Sequence, residues 1–159
     1  MLAEVERLGA SLVELTGGEP LLQPEVLPLM TALADRGYTV LIETSGAHDV
    51  GPIDPRVHVI LDVKCPDSGE CERNRWENLA ALEASDQLKF VVASRADFDW
   101  AVQAIRERSL DRRFVVLLSP AFGLVEPVAL AEWLLASRLQ VRMQLQLHKY
   151  VWDPKARGV

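Results

Sequence analysis

Val57-His58-Val59-Ile60-Leu61-Asp62-Val63 is a near-continuous apolar run that gives way to Lys64-Cys65-Pro66-Asp67-Ser68-Gly69, a string of mostly small and polar residues. A short apolar run bounded by turn residues suits a strand covered on both faces by helices, as in parallel α/β sheets. Working outward, comparable runs recur at residues 11–15, 39–43, 87–92, 114–119 and 141–147. Helical periods fall at 1–8, 25–36, 73–84, 96–108 and 127–137. Val26, Leu29, Met30 and Leu33 share one helical face, and Gly37 stands where that helix should end. Phe98, Val102, Ile105 and Leu110 repeat the pattern in a later helix. The alternation predicts an α/β domain with a mostly parallel sheet and right-handed helical crossovers. The step from Glu43 to Val57 offers only a loop, turning at Gly51-Pro52 and Asp54-Pro55. An open sheet and a partial barrel both satisfy this order, and in either one ligands gather at the carboxyl ends of the strands.

With 159 residues, 49% hydrophobic and 25% charged, the chain can bury one sizeable core, and one domain over residues 1–159 is expected. The net charge is −6. Its densest basic cluster, Arg106, Arg108, Arg112 and Arg113, is interleaved with Glu107 and Asp111 and reads as a solvated helix end. No nucleic-acid partner is expected. No run reaches the roughly 20 apolar residues of a membrane helix. Glu4, Glu6 and Arg7 interrupt the start, unlike a signal peptide. A cytoplasmic protein without a membrane partner is therefore expected. Cys65 and Cys71 are spaced more widely than a zinc pair, and His48, His58 and His148 are scattered. No metal site follows from spacing, and free thiols in a reducing compartment are the expectation.

Polar and small residues cluster where strands end. Thr16-Gly17-Gly18-Glu19-Pro20-Leu21-Leu22 follows the first, Thr44-Ser45-Gly46 the second, and Lys64 to Gly69 the third. Ser119-Pro120-Ala121-Phe122 follows the fifth, and His148-Lys149-Tyr150 the sixth. Paired glycines at a strand end let a ligand approach bare backbone. Neither nucleotide-phosphate glycine motif is present. Each piece alone has a plainer reading: Gly17-Gly18 as a turn, Glu19 as a helix cap, Lys64 as a surface lysine, Ser68-Gly69 as a turn, His148 as a structural histidine. Their joint placement after successive strands points to a binding rim.

The string Glu14-Leu15-Thr16-Gly17-Gly18-Glu19-Pro20-Leu21-Leu22-Gln23 resembles the GGEP region of radical S-adenosylmethionine (SAM) enzymes. Three further strings, Ile42-Glu43-Thr44-Ser45-Gly46, Asp62-Val63-Lys64-Cys65-Pro66-Asp67-Ser68-Gly69 and Gln146-Leu147-His148-Lys149-Tyr150-Val151-Trp152, narrow the resemblance to the 7-carboxy-7-deazaguanine synthase family of queuosine biosynthesis. It runs through to Arg157-Gly158-Val159. The resemblance implies a partial (β/α) barrel of radical SAM type and a carbon–nitrogen lyase. Its reaction converts 6-carboxy-5,6,7,8-tetrahydropterin to 7-carboxy-7-deazaguanine with loss of ammonia. It further implies a 4Fe-4S cluster, Mg2+, a flavodoxin-type reductant and a homodimer. By the same likeness, Gly17, Gly18 and Glu19 hold the amino group of SAM, and Ser45, Lys64, Ser68, Ser119, Pro120, Ala121 and Phe122 line its ribose and adenine. Thr16, His148 and the carboxylate of Val159 fall on the substrate side.

One departure from the pattern stands out. Family members carry three cluster-binding cysteines in a loop before the GGEP region, together with a threonine for magnesium. No cysteine precedes Thr16 here, and Cys65 and Cys71 belong to the SAM-ribose region. The chain is therefore expected to match the C-terminal portion of a radical SAM core, without its first β/α unit. On that expectation it is inactive alone. The other reading is a non-enzymatic remnant or dimerisation module with weak SAM binding.

Overall fold

The computed structural model describes residues 1–156. Six strands form one sheet: β1 (Leu12–Leu15), β2 (Thr39–Thr44), β3 (His58–Val63), β4 (Gln87–Val92), β5 (Val115–Pro120) and β6 (Arg142–Met143). They lie in sequence order and every neighbouring pair is parallel. β1 and β6 do not pair with each other, so the sheet is an open, partial barrel. The helices are α1 (Leu2–Leu8), α2 (Val26–Asp35), α3 (Arg95–Arg108), α4 (Leu110–Arg113), α5 (Pro127–Ser137) and α6 (His148–Val151). As the sequence predicts, β2 and β3 are joined without a helix.

Side chains alternate across a strand, and here the two faces differ. Val40 and Ile42 of β2, Leu88 and Phe90 of β4, and Leu118 of β5 have no exposed surface. They pack in one core with Met30 and Leu33 of α2 and with Phe98 and Ile105 of α3. The intervening positions carry Glu43, Asp62 and Lys89, all half-buried. Lys89 Nζ lies 2.6 Å from Glu43 Oε1, and Lys64 Nζ lies 2.5 Å from Asp62 Oδ2. The expectation of helical cover on both faces is thus corrected: helices cover one face, and the inner face carries charged residues beside the buried Ile60 and Leu117.

Two elements also differ from the sequence reading. Residues 73–84 do not form a helix but lie in 3-10 turns at Cys71–Arg73 and Trp76–Ala80. Their Asn74 and Asn78 side chains bond backbone groups elsewhere, the competition that disfavours asparagine in helix interiors. The sixth strand shrinks from 141–147 to Arg142–Met143. Among the described residues it is an edge strand with β5 as its only neighbour, and beyond Gln144 the chain turns at Leu145–Leu147 into α6.

Leu118→Ala in the centre of the core should lower the free energy of urea unfolding by about 2–5 kcal/mol. Leu135→Ala, at a position 81% exposed on α5, should change it by no more than about 0.5 kcal/mol.

Candidate functional site

The site begins where β1 ends. Gly17 and Gly18 have φ of +90° and +54°, in the left-handed region that glycine tolerates. A Cβ added at either would meet no heavy atom within 4 Å, so their backbone faces open space. Glu19 then returns to extended geometry and caps the short 3-10 turn Pro20–Leu22. Its carboxylate accepts four hydrogen bonds: from the Leu21 amide at 3.1 Å, the Thr44 hydroxyl at 2.8 Å, the Ser45 amide at 2.8 Å and the Ser45 hydroxyl at 2.5 Å. Three of the four come from the end of β2, so the glycine loop is tied to its neighbouring strand. Burial works against the charge of Glu19, but the bonds from Ser45, Thr44 and Leu21 outweigh it and hold its pKa below the ordinary carboxylate value.

Glu19, Ser45 and Lys64 share a cavity of about 220 Å³ with Leu22, Ala47, His48, Glu70 and Arg73. This joins ends of the first three strands. Ser68 is not in its lining: its hydroxyl donates to the Cys65 carbonyl at 2.6 Å and accepts from the Glu70 amide at 3.2 Å. Thr16 is exposed beside Gly17.

A second group stands after β5. Ser119 is fully buried and its hydroxyl has no partner among the described residues. Pro120 closes the strand, and the Ala121 amide donates to the Val92 carbonyl at 2.8 Å, tying this turn to β4. Phe122 is exposed and meets Tyr150 of α6 edge-on at 5.3 Å between ring centroids, with Lys149 Nζ 5.7 Å from its ring. His148 is exposed at the start of α6, two residues before Tyr150; Val159 lies outside the described residues.

Sequence reasoning missed the inner-face charges Glu14, Glu43, Asp62 and Lys89, whose signal was one polar residue at alternate positions of each strand. Burial and the nearby Glu43 raise the pKa of Glu14, against the opposing pull of Lys89. It also missed His48, Glu70 and Arg73, which lie in loops with no periodic signal.

No family model matches the chain. A curated 7-carboxy-7-deazaguanine synthase from Chlorobaculum tepidum is 50% identical over 153 residues, spanning 94% of this chain and 70% of that protein. The chain belongs to the 7-carboxy-7-deazaguanine synthase family. A synthase of the same name from Koribacter versatilis is 44% identical over the whole chain and 77% of its own length. The crystal structure of QueE from Escherichia coli superposes with a TM-score of 0.69 at 27% identity, over 90% of this chain and 61% of that one. SuiB from Streptococcus suis, solved bound to S-adenosylmethionine, gives 0.58 at 10% identity and shares the fold alone. The likeness to these synthases therefore spans about three quarters of the curated proteins' length.

In this member of the synthase family, Glu19→Gln replaces an acceptor with an amide that cannot serve all four donors. The variant should lose about 1–2 kcal/mol at pH 7, the lower part of the range for charged hydrogen bonds because the site is partly exposed. The folded pKa is depressed, so this stability is present above the unfolded value and is lost as pH falls through the folded one. Urea unfolding of both proteins at stepped pH should show the gap closing below about pH 4.

Proposed function

We propose that this chain supplies the SAM-binding rim and part of the substrate-facing surface of a 7-carboxy-7-deazaguanine synthase. That enzyme is a radical SAM lyase converting 6-carboxy-5,6,7,8-tetrahydropterin to 7-carboxy-7-deazaguanine with loss of ammonia. The observation that carries the reading is the four-donor anchorage of Glu19, which places the bare Gly17-Gly18 backbone beside a cavity containing Ser45 and Lys64.

The residues suit SAM chemically. Carbonyls at Gly17 and Gly18 can accept from its ammonium, and their open backbone gives it room. Glu19 is saturated with donors, so it shapes the loop, and its own role toward SAM is charge rather than a further direct bond. Asp62 Oδ1 and the Ser119 hydroxyl are buried without partners among the described residues, which leaves each with capacity for a further polar contact. Phe122 offers an exposed ring for the adenine, and Ser68 orders the backbone between Lys64 and Glu70. Thr16 and His148 take the pterin side, as does Val159.

The described residues do not fit a 4Fe-4S cluster. The chain has two cysteines, Cys65 is buried with its thiol pKa pushed up, and no group of three metal-ligating side chains occurs among the described residues. Magnesium finds no such group either. A flavodoxin-type reductant, a homodimer and a cytoplasmic location belong to the same reading. Among the described residues no helix is long and apolar enough to cross a membrane.

Calorimetry on the chain should detect SAM binding that Gly18→Val abolishes, because a β-branched residue resists φ near +54° and fills the open space. Glu25→Val, at an exposed position beyond the same loop, should bind as the wild type does. Normal binding by Gly18→Val would refute the assignment of the glycine loop. Anaerobic reconstitution with iron and sulfide should leave the chain short of one 4Fe-4S cluster per molecule, read by iron content and electron paramagnetic resonance.

A further inference from the structure

Two asparagines outside every strand hold the backbones that present the rim. The amide of Asn74 makes a matched pair with one residue: the Lys64 N–H donates to Asn74 Oδ1 at 2.9 Å, and Asn74 Nδ2 donates to the Lys64 carbonyl at 2.8 Å. Lys64 lies just past the end of β3, so this side chain acts as one extra residue of neighbouring strand. Asn78 is 1% exposed and uses its whole amide. Its Nδ2 donates to the Gly46 carbonyl at 3.1 Å and the His48 carbonyl at 2.8 Å, and its Oδ1 accepts from the Val50 amide at 3.3 Å. The Arg75 amide, between the two, also donates to the Gly46 carbonyl at 3.2 Å.

The segment from Cys71 to Ala80 therefore works as a staple. One asparagine grips the residue that carries the Lys64 side chain into the cavity, and the other closes the loop that follows Ser45. Both grips are on backbone, so neither sets which side chain sits at the rim; each sets where it sits. An unanchored loop would have to be ordered by the ligand itself, and that entropy cost would be subtracted from affinity.

We propose that Asn74 and Asn78 are positioning residues for the SAM pocket, fixing Lys64 and the Ser45 loop before ligand arrives. The proposal rests on the reading of that pocket given above. It predicts two separable effects. Amide hydrogen exchange on the full chain without ligand should accelerate at Lys64 in Asn74→Ala and at Val50 in Asn78→Ala, while Leu88 and Phe90 in β4 keep their protection. SAM affinity by calorimetry should fall about tenfold in each alanine variant, the scale of one or two lost hydrogen bonds. Asn74→Asp keeps an acceptor for the Lys64 amide but sets its second carboxylate oxygen against the Lys64 carbonyl, so it should bind SAM no more tightly than Asn74→Ala.

Asp86→Asn is the comparison for a clamp away from the rim. Asp86 is 5% exposed and accepts from the Val59 and Glu83 amides, near the opposite end of β3. This variant should lose thermal stability and keep its SAM affinity. Wild-type binding with unchanged affinity in Asn74→Ala and Asn78→Ala would overturn the positioning role alone. Unchanged exchange at Lys64 and Val50 would overturn it as well. Absence of SAM binding in the wild type, with exchange altered as stated, would instead show that the pocket reading has failed and the positioning role with it.

Discussion

The glycine edge at the carboxyl end of this sheet depends on a carboxylate that has no free lone pair to spare. Glu19 takes donors from its own loop and from the end of β2, and so converts a pair of unconstrained glycines into a fixed edge. Left-handed glycines have many alternatives in the unfolded chain, and something outside them must select one conformation. Thr44, 1% exposed at the end of β2, gives the anchor a rigid attachment in the core. The same device recurs along the rim. Asp97, also 1% exposed, accepts from the Asp67 amide and the Ala93 amide at 2.9 Å each, and ties the loop after β3 to the end of β4. Asn74, Asn78 and Asp97 all bond backbone at or just beyond strand ends, which is where a parallel sheet leaves its donors and acceptors unpaired.

The inner face follows from the open architecture. A sheet with helices on one side leaves its other face only partly covered, and that face mixes the buried Ile60 and Leu117 with charged residues. Glu43–Lys89 and Asp62–Lys64 stand there as ion pairs, each half-shielded. Glu43 and Lys89 meet across the intervening β3, and Asp62 and Lys64 stand two residues apart at the end of β3. In each pair the opposed charges offset each other's desolvation cost, and their net stabilising effect is small. Their consequence is a polar floor beneath the rim, and Glu14 at the edge of that floor is the carboxylate that burial and Glu43 push toward its neutral form.

Much of the fold was legible because its driving pattern is local. The runs around Val40, Val59, Leu88 and Val116 had to be strands, and the faces of Met30 and Ile105 had to be buried; the structure agrees within a residue or two at most boundaries. The failures have a common cause. Residues 73–84 carry a helical spacing of Trp76, Leu79 and Ala80, but the tertiary contacts of Asn74 and Asn78 outweigh it, and no local rule shows where an asparagine amide will find its partner. Residues 141–147 alternate as a strand should, yet only two of them have a ladder to join. At the site, Gly17, Gly18, Glu19, Ser45 and Lys64 were readable because they follow strands directly. Glu70 and Arg73 were not, since a loop brings them back to the cavity from a position with no periodic mark.

The account stands most directly on where SAM contacts the chain. Amide chemical shifts of the labelled protein, recorded as SAM is added, locate that contact residue by residue. The account predicts movement at Gly17, Gly18, Ser45 and Lys64, with a second set at Ala121 and Phe122, and little change in the groove between Trp76 and Trp100 on the outer surface. Shifts confined to that outer groove, or an absence of saturable shifts at the glycine loop, would contradict it.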